Sequence, residues 1–259
     1  MLTDILVFLS GLCAGSFLNV CIDRIPLEKP IFSSPPTCTN CGSRVQVRDR
    51  IPVLGYIMLK GKCRNCKTKI SIQYPLVELL TGLLWLLVYR RYGAAAETIA
   101  LIFLFSILTA AAFIDLKYMI IPDSLVLAGL AGGIPVFLYH VFYKSFSLYF
   151  SASWYAPLIG MVSASGILLM VAFIGFLIYK DDGAMGMGDV KLFLPIGLFL
   201  GWRLSMMTLF IAVMLAGIVS AILLIFRVLN RKSAIPFGPF IVMAAFITGF
   251  FGPFLLGIL

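Results

Sequence analysis

Eight apolar runs, interrupted by a single polar stretch of about fifty residues, leave this chain few folds to choose from. They cover 5–20, 76–89, 98–114, 125–142, 157–179, 190–201, 204–226 and 236–259. A membrane-crossing helix needs about 20 mostly apolar residues, so all but the sixth run approach or reach a span. Hydrophobic residues make up 61% of the chain and charged ones 12%. Ordinary soluble domains are about half apolar and about a quarter charged, which excludes a soluble domain and a disordered chain. The expected fold is an all-α polytopic membrane protein of about eight transmembrane helices. Its parts are a first transmembrane helix at 1–22, a small cytoplasmic domain at 23–74 and a transmembrane bundle at 75–259. The short sixth run reads as a half-helix or a tilted segment, and seven spans plus a re-entrant segment give the same pattern. The N-terminus has no basic region ahead of its apolar run and carries Asp4 there, so it reads as a retained first span rather than a cleavable signal.

The net charge of +9 would point to nucleic acid in a soluble protein. Here its placement excludes that partner and favours a lipid bilayer. Ten of the 20 basic residues lie in 23–74. Lys and Arg mark cytoplasmic loops, which puts that stretch inside. Threading eight spans from there also puts Lys117, Lys180, Lys191, Arg227, Arg231 and Lys232 inside. Only Arg90, Arg91, Lys144 and Arg203 fall outside, together with both termini. The segment 144–155 becomes an external loop with interfacial aromatics. His140, the one histidine, reads as an interfacial residue. With a single histidine, the serine and cysteine protease mechanisms that depend on one lose their weight.

Cys38-Thr-Asn-Cys41 and Cys63-Arg-Asn-Cys66 form two C-x2-C pairs separated by 21 residues. That pattern fits four thiolates around one zinc ion, each pair a tight knuckle. Gly42 stands where a knuckle favours a positive φ. A stretch of about fifty residues is too small to rely on its own core, which makes the metal structural. The competing reading is two disulfides or free thiols, and a cytoplasmic position disfavours disulfides. Cys13 and Cys21 read as small apolar residues of the first span.

Carboxylates in apolar surroundings are costly and mark function. Four qualify: Glu78, Asp115, Asp123 and Asp189. Glu97 reads as an ordinary charge at a helix start. Asp123 follows Pro122, and its plain reading is the cap of the next helix. Asp115 ends a long apolar run and has no such role. Asp189 closes Gly186-Met187-Gly188-Asp189, where glycines let the backbone pack tightly beside a carboxylate. Asp115 and Asp189 fall at the same membrane depth, at the cytoplasmic ends of their spans. Two carboxylates sharing a site hold one proton between them, which suits them to activate a water and polarise an amide. A proton-coupled transporter is a second use of buried aspartates, although its sites sit nearer the midplane. A non-catalytic, zinc-anchored membrane adaptor leaves the aspartates without a purpose.

Ordered along the chain are Gly15-Ser16-Phe17-Leu18-Asn19-Val20, Arg24-Ile25-Pro26, both cysteine pairs, Ile51-Pro52-Val53-Leu54, and Tyr74-Pro75-Leu76-Val77-Glu78. Asp115-Leu116, Ile121-Pro122-Asp123 and Gly186-Met187-Gly188-Asp189-Val190-Lys191 follow. With these motifs the sequence resembles the type IV prepilin leader peptidases, membrane aspartic proteases of the G-x-G-D class. The resemblance implies cleavage of the basic leader of prepilins and pseudopilins at the cytoplasmic face of the bacterial inner membrane. It also implies N-methylation of the new terminus from S-adenosylmethionine. On it, Asp115 and Asp189 are the catalytic pair, with Gly186, Gly188, Lys191 and Asp123 around them. Cys38, Cys41, Cys63 and Cys66 bind zinc. Independently of the resemblance, Glu78 stands at the cytoplasmic mouth of the second span and is a candidate to orient or deprotonate the new α-amine in methyl transfer; its plain reading is an ion pair with an Arg or Lys of the basic loop. The chain departs from the family pattern at Thr37–Cys41, Asp49-Arg50 and Asp182-Gly183-Ala184, and none of these touches the two aspartates.

Overall fold

The computed structural model describes residues 1–32, 37–38, 40–144, 146–151, 153–179, 186–227 and 235–258. Thr39, Lys180, the Asp182-Gly183-Ala184 departure, Arg231 and Lys232 lie outside the described residues. Those described form helices and turns, with two isolated β-bridges in place of any strand. The chain divides into two compact units, Met1–Ala94 and Ala95–Leu259.

In the first unit, α1 (Leu2–Arg24) packs along the later helix α3 (Gln73–Tyr92), and 3-10 turns and the short α2 (Leu54–Met58) lie between them in sequence. The glycine pair at i and i+4 on α1 lets the two backbones nearly touch, as small residues do between membrane helices. A Cβ on Gly11 would sit 2.8 Å from the Gly82 Cα, and one on Gly15 only 2.6 Å from the Glu78 Cα. Asn19 meets Tyr74 and Asp4 meets Arg90, so the two helices run antiparallel.

In the second unit, α4 (Ala96–Tyr118) is the most enclosed span, its Leu101, Leu104, Phe105, Leu108, Ala110, Ala111 and Ile114 fully buried. Around it stand α5 (Asp123–Tyr143), α6 (Ala156–Tyr179), α7 (Met187–Ile225) and α8 (Gly238–Ile258). Five stretches of the described residues are long and apolar enough to cross a membrane: Leu2–Leu27, Ala96–Tyr118, Asp123–Tyr143, Ala156–Ile178 and Met187–Ile225.

The 39 residues of α7 would extend about 58 Å as one rod, nearly twice a bilayer's hydrocarbon core. The chain instead doubles back at Gly201, whose φ of 73° and ψ of 175° are open essentially to glycine alone. Before the bend, Gly188 lies on Ile121, and Gly197 touches Gly160 of α6, backbone to backbone. Beyond it, Leu204 meets Gly252, and the Thr208 and Thr248 hydroxyls are 2.7 Å apart. Because α8 starts beside Asp115, pairing of 204 with 252 and of 208 with 248 means that the second half of α7 returns towards the Asp115 end. The separate sequence windows at 190–201 and 204–226 correspond to these two halves.

The segment after α5 differs from the expected interfacial loop. Trp154 and Tyr155 are exposed, but Phe146, Leu148 and Tyr149 are buried. Tyr149 donates its hydroxyl to the Leu198 carbonyl at 2.7 Å. Glu97 is correspondingly more than a helix-start charge: it is buried and accepts both the Ser147 N–H and hydroxyl at 2.9 Å. His140 is fully buried rather than interfacial, its ring edge-on to Tyr149 at 4.6 Å between centroids. Apolar packing of the returning segment outcompetes water for all three.

Candidate active site and metal centre

Asp115 sits in the last turn of α4, and Asp189 in the first turn of α7. The fold brings these helix ends together: Gly188 lies on Ile121, just beyond the end of α4, and Lys191 reaches Asp123 at the start of α5. Asp115 is buried and Asp189 half-buried. The first amide of α8 adds a third element, because Gly238 N–H donates to Asp115 Oδ2 at 2.9 Å. An unsatisfied helix-start amide aimed at a carboxylate is a favourable pairing. Sequence reasoning passed over Gly238, although a glycine between Phe237 and Pro239, ahead of an apolar run, signals a helix start with an open backbone.

Glycines crowd this pair for a steric reason. A Cβ on Gly238 would fall 2.7 Å from Asp115 Oδ2, and one on Gly186 3.0 Å from Asp189 Oδ2. A Cβ on Gly188 would meet the Ile121 Cβ at 2.9 Å. The backbone therefore lies against both carboxylates where side chains would otherwise stand. Lys191, two residues beyond Asp189, reaches Asp123 with its Nζ 2.8 Å from Oδ1. The cap expected of Asp123 is absent: Pro122 holds the cap position and makes no side-chain cap, while Asp123 is the first helical residue. Its carboxylate is drawn to the Lys191 ammonium, a stronger partner than a backbone amide.

In the first unit, the ligand atoms of Cys38, Cys41, Cys63 and Cys66 all lie within 4.8 Å of one another, a spacing that one metal ion could occupy. All four cysteines are free thiols, and Cys38 and Cys66 share a thiol hydrogen bond at 3.7 Å rather than a disulfide. The two knuckles match: Gly42 N–H bonds Cys38 O, and Lys67 N–H bonds Cys63 O. Gly42 and Lys67 both take positive φ, 68° and 61°, so the sequence signal was visible in one knuckle only. The Thr68 hydroxyl, itself bonded by Asn40, pushes the Cys66 thiol down to about 5. A thiolate ready at neutral pH is what a metal requires. Arg64, between the second pair, forks onto Asp49 at 2.6 and 3.0 Å and holds that carboxyl below the usual range.

Glu78 is buried in α3, and among the described residues it forms no ion pair with an Arg or Lys of the basic loop. It accepts the Val53 N–H at 2.7 Å and a hydrogen bond from Ser16. Val53 has φ 61° and ψ −50°, a strained state for a β-branched residue, and the carboxylate pins the amide there. Around it, Asn19 Nδ2 donates to the Tyr74 carbonyl at 3.0 Å, and the Tyr74 hydroxyl donates to Asp23 at 2.7 Å.

Comparison with known proteins fits this geometry. Residues 9–92 match the family described as Bacterial Peptidase A24 N-terminal domain, and residues 102–222 match the Type IV leader peptidase family. The chain is similar to the prepilin leader peptidase/N-methyltransferase of Myxococcus xanthus, at 36% identity over 221 residues, 85% of this chain and 63% of that one. It is similar to the protein of the same description from Pseudomonas putida, at 34% over 267 residues, covering 93% and 88% of the two chains. The Bacillus subtilis relative is 28% identical over 247 residues, 95% and 94% of the two. No solved structure matches the chain significantly.

Proposed function

The chain belongs to the type IV leader peptidase family, and from that premise we propose that it cleaves the leader from prepilins and pseudopilins and then N-methylates the new terminus. The observation that carries the reading is the approach of the Asp115 end of α4 to the Asp189 end of α7, with Gly238 against Asp115, Gly186 against Asp189 and Gly188 against Ile121. The pair holds one proton between them. The ionised carboxylate takes a proton from water as its oxygen attacks the scissile carbonyl carbon, and the protonated one donates to the carbonyl oxygen. Breaking the C–N bond then releases the new α-amine with a proton returned from the pair. The absence of side chains at Gly186 and Gly188 lets an extended strand lie along Asp189. Lys191 and Asp123 form an exposed ion pair between the starts of α7 and α5, beside the carboxylates.

The four thiols suit zinc: all are sulfur, none of the four positions is left for water, and their role is structural. S-adenosylmethionine would supply an electrophilic methyl group. The new α-amine would accept that methyl group, and the sulfur would leave with the bonding electron pair. Glu78, buried near the cysteine segment, would take the amine's proton. The setting is the bacterial cytoplasmic membrane, crossed eight times by α1, α3, α4, α5, α6, both halves of α7, and α8. The 16-to-4 division of basic residues supports a cytoplasmic position for the cysteine segment at 23–74 and for the aspartates. A transporter or a silent adaptor has no use for glycine-flanked carboxylates in one unit together with a four-cysteine cluster in the other.

The test is incubation of the detergent-purified protein with a prepilin. Asp115→Asn and Asp189→Asn are each expected to lose about 10²–10⁴-fold in cleavage, the usual contribution of general acid–base groups, while keeping their metal. Near-normal cleavage by either variant refutes the assignment.

A further inference from the structure

Among the described residues of the first unit, two buried polar atoms have no hydrogen-bond partner: Asn19 Oδ1, on a residue only 2% exposed, and Gln73 Nε2. They belong to one seam. Asn19 bonds the carbonyl of Tyr74, the residue after Gln73. The seam is otherwise satisfied, with Ser16 on Glu78 and the Tyr74 hydroxyl on Asp23. Buried groups are paired as a rule, so exceptions call for a partner from outside the chain. One orphan is an acceptor and the other a donor, and they lie on facing helices beside a buried carboxylate. A group with N–H donors next to an oxygen acceptor satisfies both, and the Glu78 charge favours a cationic amine over a neutral amide.

Resting on the methyl-transfer reading above, we infer that this seam binds an α-amino acyl group, an ammonium adjacent to a carbonyl or carboxylate. Asn19 takes its N–H and Gln73 its oxygen. Two reactants carry that group: the freshly exposed pilin terminus and the amino-acid end of the methyl donor. Neither Asn19 nor Gln73 belongs to the aspartate pair, so cleavage serves as the internal control for folding.

The experiment is calorimetric titration of the zinc-loaded, full-length protein with two probes. One is S-adenosylhomocysteine. The other is a short peptide with a free N-terminal Phe, run against its N-acetylated form. Asn19→Ala and Gln73→Met should each bind one probe at least tenfold more weakly while keeping cleavage and metal content. Loss confined to the free-amine peptide assigns the seam to the pilin, and loss confined to S-adenosylhomocysteine assigns it to the donor. Unchanged binding of both probes, or wild-type protein that binds neither, overturns the inference and leaves the orphans to ordered water. Should Asn19→Ala fail to cleave, Gln73→Met decides alone, because its Nε2 has no bond to lose. Wild-type protein that cleaves but transfers no labelled methyl ends the methyl-transfer reading, and the titrations still decide the site.

Discussion

Gly238 holds one carboxylate of the pair from 123 residues away along the chain. Its value lies in what it lacks, since any Cβ would press on Asp115 Oδ2 at 2.7 Å. Gly238→Ala is expected to lower cleavage on the order of 10²-fold, the penalty for displacing a reacting group by about 1 Å. Metal content and peptide binding in the first unit should stay normal. Asp123→Asn loses only an exposed ion pair, worth about 0.2–1 kcal/mol in a thermal melt, and should cleave nearly as well as the parent. At this scale the aspartates and cysteines were legible because their chemistry is in their identity and spacing. Gly238, the Asp123–Lys191 pair and the Glu78–Val53 contact were not, because each depends on a partner 25 or more residues distant.

Helices and knuckles here are defined by where they stop. Gly201 ends the first half of α7 in a conformation that costs a residue with a Cβ about 1–3 kcal/mol. That Cβ would also meet Tyr149 at 3.0 Å. Gly201→Ala should therefore lower the melting temperature, and by more than Gly217→Ala, whose Cβ meets nothing within 4 Å. At Gly42 the surroundings are open and only φ is at issue, so Gly42→Ala should cost about 1 kcal/mol and weaken metal retention modestly. Apolar period and length made the spans legible, including the gap that marks the α7 bend. The inward return of Phe146, Leu148 and Tyr149 was not legible, since a short aromatic segment reads alike in a lipid interface and in a protein core.

At the scale of the whole molecule, two chemistries sit in two units, and each should survive loss of the other. Supplied with already cleaved pilin and labelled methyl donor, Asp189→Asn should transfer label, whereas Glu78→Gln should transfer little and still cleave. The reverse pattern would place both activities at the aspartates. Metal analysis of protein purified without chelator should give one zinc per chain. Composition made the membrane class legible and the motifs made the family legible. The partition into units was not, because α1 and α3 are joined by the meeting of glycine surfaces that no linear pattern displays. The doubled-back α7 also bears on how the protein is made. Between Lys191 and Arg227 the only charge is Arg203, at the bend. An insertion machinery reading residues in order therefore meets some 35 apolar positions with one basic residue among them, and no polar loop at which to pause. On the proposed topology the two halves form a helical hairpin, and Arg203 at its tip is the one charge that crosses with them. On that topology the two halves are expected to insert together as a hairpin rather than one after the other.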